Sequence, residues 1–224
     1  MVVVYGPRGS GKTTLIDALV SDSDFEASGG LHKVRHITTR DYRQGEVPGT
    51  DVVSVSLPEF KAMSKNNELV SDVTIQEASG EYRNGTAYAD LDTQGTTIID
   101  MNPEGVANLE AKAKEKGWEL FKIFLYAKSF SRMQRIAERR LDLIPTEQLT
   151  AFHYMVAEIG AMQKMSKDTN PQQPYDEREA DLVIENPEGK LEEVVKVVKE
   201  GVLGFLQREG SQEMHMELRK NNRG

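Results

Sequence analysis

Eight residues near the start, Gly6-Pro7-Arg8-Gly9-Ser10-Gly11-Lys12-Thr13, constrain this chain more than any others. They spell G-x-x-x-x-G-K-T. The apolar run Val2-Val3-Val4-Tyr5 comes directly before them, and Thr14-Leu15-Ile16-Asp17-Ala18-Leu19-Val20 follows. A strand, a glycine-rich turn and a helix in that order form a phosphate-binding loop. A chance glycine-rich turn would not carry the whole pattern in that context. The glycines let successive backbone N–H groups curl towards phosphate oxygens, with the dipole of the following helix behind them. Lys12 can reach the β- and γ-phosphates of a nucleoside triphosphate, and the Thr13 hydroxyl can take a Mg²⁺ position. Gly6, Pro7, Arg8, Gly9, Ser10, Gly11, Lys12, Thr13 and Thr14 are therefore the expected donor-nucleotide residues.

The rest of the chain must supply whatever receives the phosphate. A length of 224 residues suits one compact domain with inserted parts. The net charge of −8 argues against a general nucleic-acid or anionic-membrane binder, so any phosphate site must be a local basic cluster. There are no cysteines, which excludes disulfides and thiolate metal sites. The histidines at 32, 36, 153 and 215 have no metal-ligand spacing. No stretch has the length of a membrane span, and the loop begins too early to follow a cleavable leader, so a cytoplasmic location is expected.

Apolar runs alternate with helical patterns, which predicts an α/β fold with a doubly wound parallel sheet. Strands are expected at residues 97–101, 120–126 and 182–184. Helices are expected at residues 103–118, from Ser129 onward, and at 189–206. Residues 31–92 read as a small, mostly β insertion with turns at Pro48-Gly49 and Asn84-Gly85. Residues 130–172 read as helical, and the stretch after Gly210 as a frayed helix or tail.

Three further groups carry potential chemistry. Arg40 and Arg43, with Thr38 and Thr39 before them, make a dense set of phosphate donors; with Asp41 and Glu46 beside them they also fit a salt-bridged loop. Arg132, Arg135 and Arg139 share one helix face. That face is either simply solvated or aimed at a transferring phosphoryl group. Asp100 ends a strand, where it either orients Mg²⁺ through water or caps a turn.

Together these residues resemble the guanylate kinase family, from residue 2 to about 200. Thr38-Thr39-Arg40-Asp41-Tyr42-Arg43-Gln44-Gly45-Glu46-Val47-Pro48-Gly49-Thr50-Asp51 is close to the family's TTRxxRxGEVxGxD. Gly85-Thr86 matches the end of its YGT, and Ile98-Ile99-Asp100 with Glu104-Gly105 its ILDIDxQG. Arg135-Ile136-Ala137-Glu138-Arg139 resembles its RLxxR, and Val183-Ile184-Glu185-Asn186 its VIVN. The resemblance implies a P-loop kinase core (residues 1–30, 93–129 and 173–206), a nucleoside-monophosphate-binding insertion (31–92), a helical lid (130–172) and a polar tail (207–224).

It also implies roles. Lys12, Arg40, Arg43, Arg135 and Arg139 would be catalytic, with Arg40 and Arg43 gripping the acceptor phosphate and the lid arginines reaching the donor phosphates. Thr86 would touch the acceptor base, Asn186 would lie near adenine, and Thr13 and Asp100 would serve Mg²⁺. His36, Thr38, Tyr82 and Asn102 complete the expected acceptor set, with Asp72 and Glu77 both candidates for reading the base. The family's two phosphate-binding tyrosines are Val52 and Asn84 here, the second Asp of ILDID is Asn102, and the serine before TTR is His36; Tyr82 or Tyr42 could stand in for a tyrosine.

The implied activity is ATP-dependent phosphorylation of GMP, dGMP or a related nucleoside monophosphate. A kinase of another phosphorylated acceptor, such as a ribose bisphosphate, and a non-catalytic binding module are the alternatives. ATP and a nucleoside monophosphate are the expected partners, without nucleic acid or membrane, for a monomer or homodimer.

Overall fold

A computed structural model describes residues 1–43, 45–77, 80–91, 95–138 and 180–221. Strand β1 (Val2–Tyr5) lies at the centre of a five-stranded, wholly parallel sheet of order β2-β7-β1-β8-β9. The others are β2 (Leu31–Lys33), β7 (Thr96–Met101), β8 (Phe121–Tyr126) and β9 (Leu182–Glu185). Both faces of β1 are covered, which is why its sequence is continuously apolar. Val2 and Val4 pack with Leu15, Ile16 and Leu19 of α1 (Lys12–Val20) and with Val194, Val198 and Val202 of α5 (Leu191–Asn221). Val3 and Tyr5 pack on the other face with Val106 and Leu109 of α3 (Pro103–Lys116). The chain leaves β1 to one side and crosses to the other between β7 and β8. The crevice of such a sheet therefore opens at the carboxyl end of β1, where the phosphate loop sits.

A second sheet, of order β4-β3-β6-β5, is built from β3 (His36–Thr38), β4 (Val52–Ser54), β5 (Leu69–Glu77) and β6 (Gly80–Ala87). The β5–β6 pair is an antiparallel hairpin, and helix α2 (Leu57–Lys65) covers one face through Phe60, Ile37 and Ala87. The sequence grouped residues 31–92 together, yet Leu31–Lys33 pairs with β7 in the first sheet. Only Val34 and Arg35 separate it from β3.

Helix α2 was not foreseen. Ser56 and Glu59 form a reciprocal capping box, with Pro58 in the first turn, a start signal present in the sequence. Helix α3 ends where expected, at Gly117, whose φ of 71° closes it. Helix α4 (Ser129–Glu138) begins the expected lid, and residues 139–179 lie outside those described. Helix α5 carries on to Asn221, through the stretch expected as a frayed helix or tail.

Candidate phosphate-transfer site

The loop between β1 and α1 owes its shape to three glycines with φ of 147° (Gly6), 79° (Gly9) and 97° (Gly11). All five carbonyls from Gly6 to Ser10 are held by side-chain donors. The Lys12 ammonium donates to Gly6 O at 2.9 Å and Pro7 O at 3.2 Å. Arg132 Nε donates to Arg8 O at 2.8 Å. Arg135 donates to Gly9 O and Ser10 O at 3.4 and 3.3 Å, and Asn186 Nδ2 to Ser10 O at 2.8 Å. In a trans peptide the C=O and the following N–H point opposite ways. Tying the carbonyls to the protein therefore turns the N–H groups of Arg8, Gly9 and Gly11 outward, towards the anion-binding side. The Ser10 hydroxyl is buried without a hydrogen-bond partner. Thr13 and Thr14 are exposed on the first turn of α1.

The sequence therefore identified the loop but not its braces. Arg135, expected on the donor phosphates, also donates to Asn186 O at 2.9 Å. Asn186, expected beside adenine, is buried beneath the loop. Arg132 is buried on α4 with its backbone against Gly9. Its position on the Arg135 face was the available signal. Arg139 lies outside the described residues.

Asp100 is the penultimate residue of β7, beside β1 and in register with Val4. Its Oδ1 meets His36 Nε2 at 3.0 Å, so the second sheet is fastened to the first at the loop's carboxylate. Burial pushes the Asp100 carboxyl up. The hydrogen bond and charge of His36, with the Lys12 and Lys33 ammoniums, outweigh that and hold it down to about 2. A folded pKa below the unfolded 3.8 contributes stability that is present above about pH 4 and lost as pH falls through about 2. Unfolding free energy measured by denaturant titration should decline over that window, and Asp100→Asn should flatten the decline.

Two more braces secure the junction. Lys33 bridges Asp17 of α1 and Asp51, each at 2.7 Å. Arg35 Nε reaches Asp90 at 2.8 Å.

On the second sheet, cross-strand pairing decides which side chains share a face. Asp72 pairs with Gly85 and Thr74 with Arg83. That face meets α2: the Asp72 carboxylate bonds Ser64 at 2.6 Å and is gripped by Arg83, whose guanidinium lies over Phe60. The opposite face carries Tyr82, Asn84 and Thr86, with Thr38 opposite Asn84. Asp72 is therefore not brought together with the other acceptor candidates, and the Glu77 side chain lies outside those described. The Thr86 hydroxyl is buried without a hydrogen-bond partner, while Thr38 is fully buried and donates to Arg83 O at 3.1 Å.

Arg40 and Arg43 do come together, around Tyr82. Arg43 donates to the Tyr82 hydroxyl at 3.3 Å, and the Arg40 guanidinium lies 5.7 Å from its ring centre. Tyr42 instead accepts from Ser54 N at 3.3 Å. Glu46 fills the Arg40 fork from both terminal nitrogens and accepts from Arg43 N at 2.8 Å. Burial raises the Glu46 carboxyl, but these donors overcome it and hold the group below its usual range. Asn102 caps α3, its Oδ1 accepting from Gly105 N at 2.8 Å.

Among the described residues no three His, Asp or Glu side chains gather into a metal cage, and no helix is long and apolar enough to cross a membrane.

The sequence model of the guanylate kinase family matches residues 1–203. The chain is 32% identical over 114 residues to a guanylate kinase of Bradyrhizobium diazoefficiens, covering 51% of this chain and 50% of that protein. It is 28% identical over 203 residues to guanylate kinase 2, chloroplastic/mitochondrial, of Oryza sativa subsp. japonica, covering 89% and 62%. It thus spans about half to three-fifths of the length of these curated relatives. The crystal structure of guanylate kinase from Anaplasma phagocytophilum has the same fold, with a TM-score of 0.56 at 18% identity over 92% of this chain and 85% of that one. With the family pattern matched from the phosphate loop to α5, this chain belongs to the guanylate kinase family.

Proposed function

We propose that this protein is an ATP-dependent nucleoside-monophosphate kinase, with GMP, dGMP or a related nucleotide as acceptor. The observation that carries the reading is the His36–Asp100 contact, which sets the strand leading to Arg40 and Arg43 against the carboxylate beside the phosphate loop. A donor site and an acceptor site joined in this way suit direct transfer between two phosphates.

In this reading the loop amides and Lys12 hold the β- and γ-phosphates of ATP. Arg40, Arg43 and the Tyr82 hydroxyl hold the acceptor phosphate, which shares or displaces Glu46. An acceptor phosphate oxygen attacks the γ-phosphorus in line, the bond to the β,γ-bridging oxygen breaks, and ADP leaves. Positioning and charge neutralisation supply the catalysis. The exposed Thr13 hydroxyl and the firmly ionised Asp100 are an oxygen donor set that fits Mg²⁺ bound with ATP. Bound there, the cation would supply positive charge against the phosphates of ATP. Closure of the 130–172 lid, with Arg139, over the donor belongs to the same proposal.

One observation favours the second reading, a kinase of another phosphorylated acceptor. Asp72 turns away from the acceptor face and Asn102, whose Oδ1 caps α3, is an amide, so neither presents a carboxylate to guanine. Asn102→Asp keeps the cap and adds a carboxylate that can accept from guanine N1–H and the 2-amino group. It should raise kcat/KM for GMP over AMP about 10-fold, the value of one well-made hydrogen bond.

The deciding experiment is a coupled phosphoryl-transfer assay over all ribo- and deoxynucleoside monophosphates and ribose bisphosphates. Turnover with a nucleotide supports the kinase reading. Turnover with sugar phosphates alone moves it to the second. Absence of transfer to any acceptor, with Mg·ATP bound, leaves a binding module.

A further inference from the structure

His36 belongs to the acceptor-side sheet, yet its side chain is engaged with the donor side. The path of the chain explains this. Strand β2 runs beside β7 in the register Lys33↔Ile98, and Val34 N still donates to Ile98 O at 3.0 Å. The chain then leaves the first sheet and enters β3, where His36 pairs with Val52. The imidazole spans the gap back to β7, two residues beyond Ile98, and places Nε2 3.0 Å from Asp100 Oδ1. Its Nδ1 is buried without a hydrogen-bond partner, so Asp100 is the polar contact that orients the ring. The family pattern has serine at this position; its Oγ lies one bond from Cβ, whereas the imidazole carries a donor out to the ε position.

We propose that His36 is a positioning residue for Asp100, through which the strand bearing Arg40 fixes the carboxylate that serves the donor-side cation. The inference rests on the reading above that Asp100 serves Mg·ATP. The carboxyl torsion of an aspartate is broad and roughly two-fold, so an Asp at a strand end is free to turn. One donor on Oδ1 ends that freedom and leaves Oδ2 as the oxygen that would serve the cation. The same bond protects the loop. Lys12 is close enough for its charge to act on Asp100, yet its ammonium rests on Gly6 O and Pro7 O. A carboxylate already engaged by His36 competes less for Lys12, which stays poised for phosphate. Partners that orient a ligating group are typically worth about 10–100-fold in metal affinity, and the lower end applies where the carboxylate acts through water.

The test is calorimetric binding of a non-hydrolysable ATP analogue to the full chain, with Mg²⁺ and separately in EDTA. His36→Phe keeps a ring and removes the donor. It should weaken Mg²⁺-dependent binding about 10-fold and leave binding in EDTA within about 2-fold. His36→Gln, which puts an N–H donor at a similar reach, should restore most of the loss. In an Asp100→Asn background, His36→Phe should cost nothing further. His36→Ser, smaller and matching the family pattern, gives the same measurement should the phenylalanine prevent folding.

Unchanged Mg²⁺-dependent binding in His36→Phe and His36→Ser, beside a wild type that binds, overturns the inference alone. So does an equal loss in EDTA or in the Asp100→Asn background. A folded wild type that fails to bind the Mg²⁺-loaded analogue overturns the kinase reading and this inference with it.

Discussion

Gly6→Ala is expected to destabilise the protein by about 3–5 kcal/mol and to abolish nucleotide binding. Two costs add. At a φ of 147° Gly6 occupies backbone space that L-residues avoid, a strain of about 1–3 kcal/mol. A Cβ there would also overlap the carbonyl oxygen of Leu125 and lie 3.0 Å from its carbon. Leu125 is a fully buried residue of β8, which is paired to β1 on one side and to β9 on the other. Its backbone cannot retreat without breaking a ladder at the centre of the sheet. Gly117→Ala is the contrast. Its φ is also positive, at 71°, but a Cβ would meet nothing within 4 Å, so only about 1 kcal/mol of strain is expected. Denaturant unfolding of the two variants, with ATP-analogue binding by calorimetry, checks the pair. Near-wild-type stability of Gly6→Ala would show that the β1–β8 approach is not the constraint described.

What the sequence disclosed and what it hid divide by range. The phosphate loop was legible because its signal lies within thirteen consecutive residues and its geometry follows from glycine and a following helix. Strands β7 and β8 were legible because burial on both faces makes a short chain segment largely apolar; β9, half-exposed at the edge of the sheet, was legible through the apolar run Leu182-Val183-Ile184. The Leu31–Lys33 strand was not, since three residues of mixed character have no periodicity and their place is set by pairing with residues 65 positions away. Helix α2 could have been found from Ser56, Pro58 and Glu59, but alternation just before them read as strand. The function of Arg135 and Asn186 as braces depends on contacts across 125 and 176 residues, which no local pattern encodes. Asp72 depended on hairpin register, where a shift of one residue moves a side chain to the other face. Tyr82 was one of two possible substitutes for a missing tyrosine; Arg40 and Arg43 meet at its ring and hydroxyl, whereas the Tyr42 hydroxyl accepts from Ser54 N.

Lys12→Ala should lower kcat at least about 10²–10³-fold, the usual loss when one charge-stabilising donor is removed from a transfer site. The fold should persist. The ammonium makes two hydrogen bonds to loop carbonyls, so a stability loss of about 1–2 kcal/mol is expected, within the margin of an ordinary domain. The kinetic signature is more telling than the size. Negative charge on the β- and γ-phosphates redistributes as the γ-phosphoryl moves, and an ammonium with the role proposed for Lys12 would be felt more in the transition state than in the ground state. The kcat should therefore fall further than the KM for ATP rises. Lys12→Arg should not rescue it. The planar guanidinium carries its charge on a larger fork that does not fit a pocket where one nitrogen meets Gly6 O at 2.9 Å and Pro7 O at 3.2 Å. Steady-state kinetics of both variants, with melting curves to confirm folding, give the answer. A folded Lys12→Ala protein retaining kcat within tenfold of wild type would mean that the loop holds nucleotide for some purpose other than phosphoryl transfer.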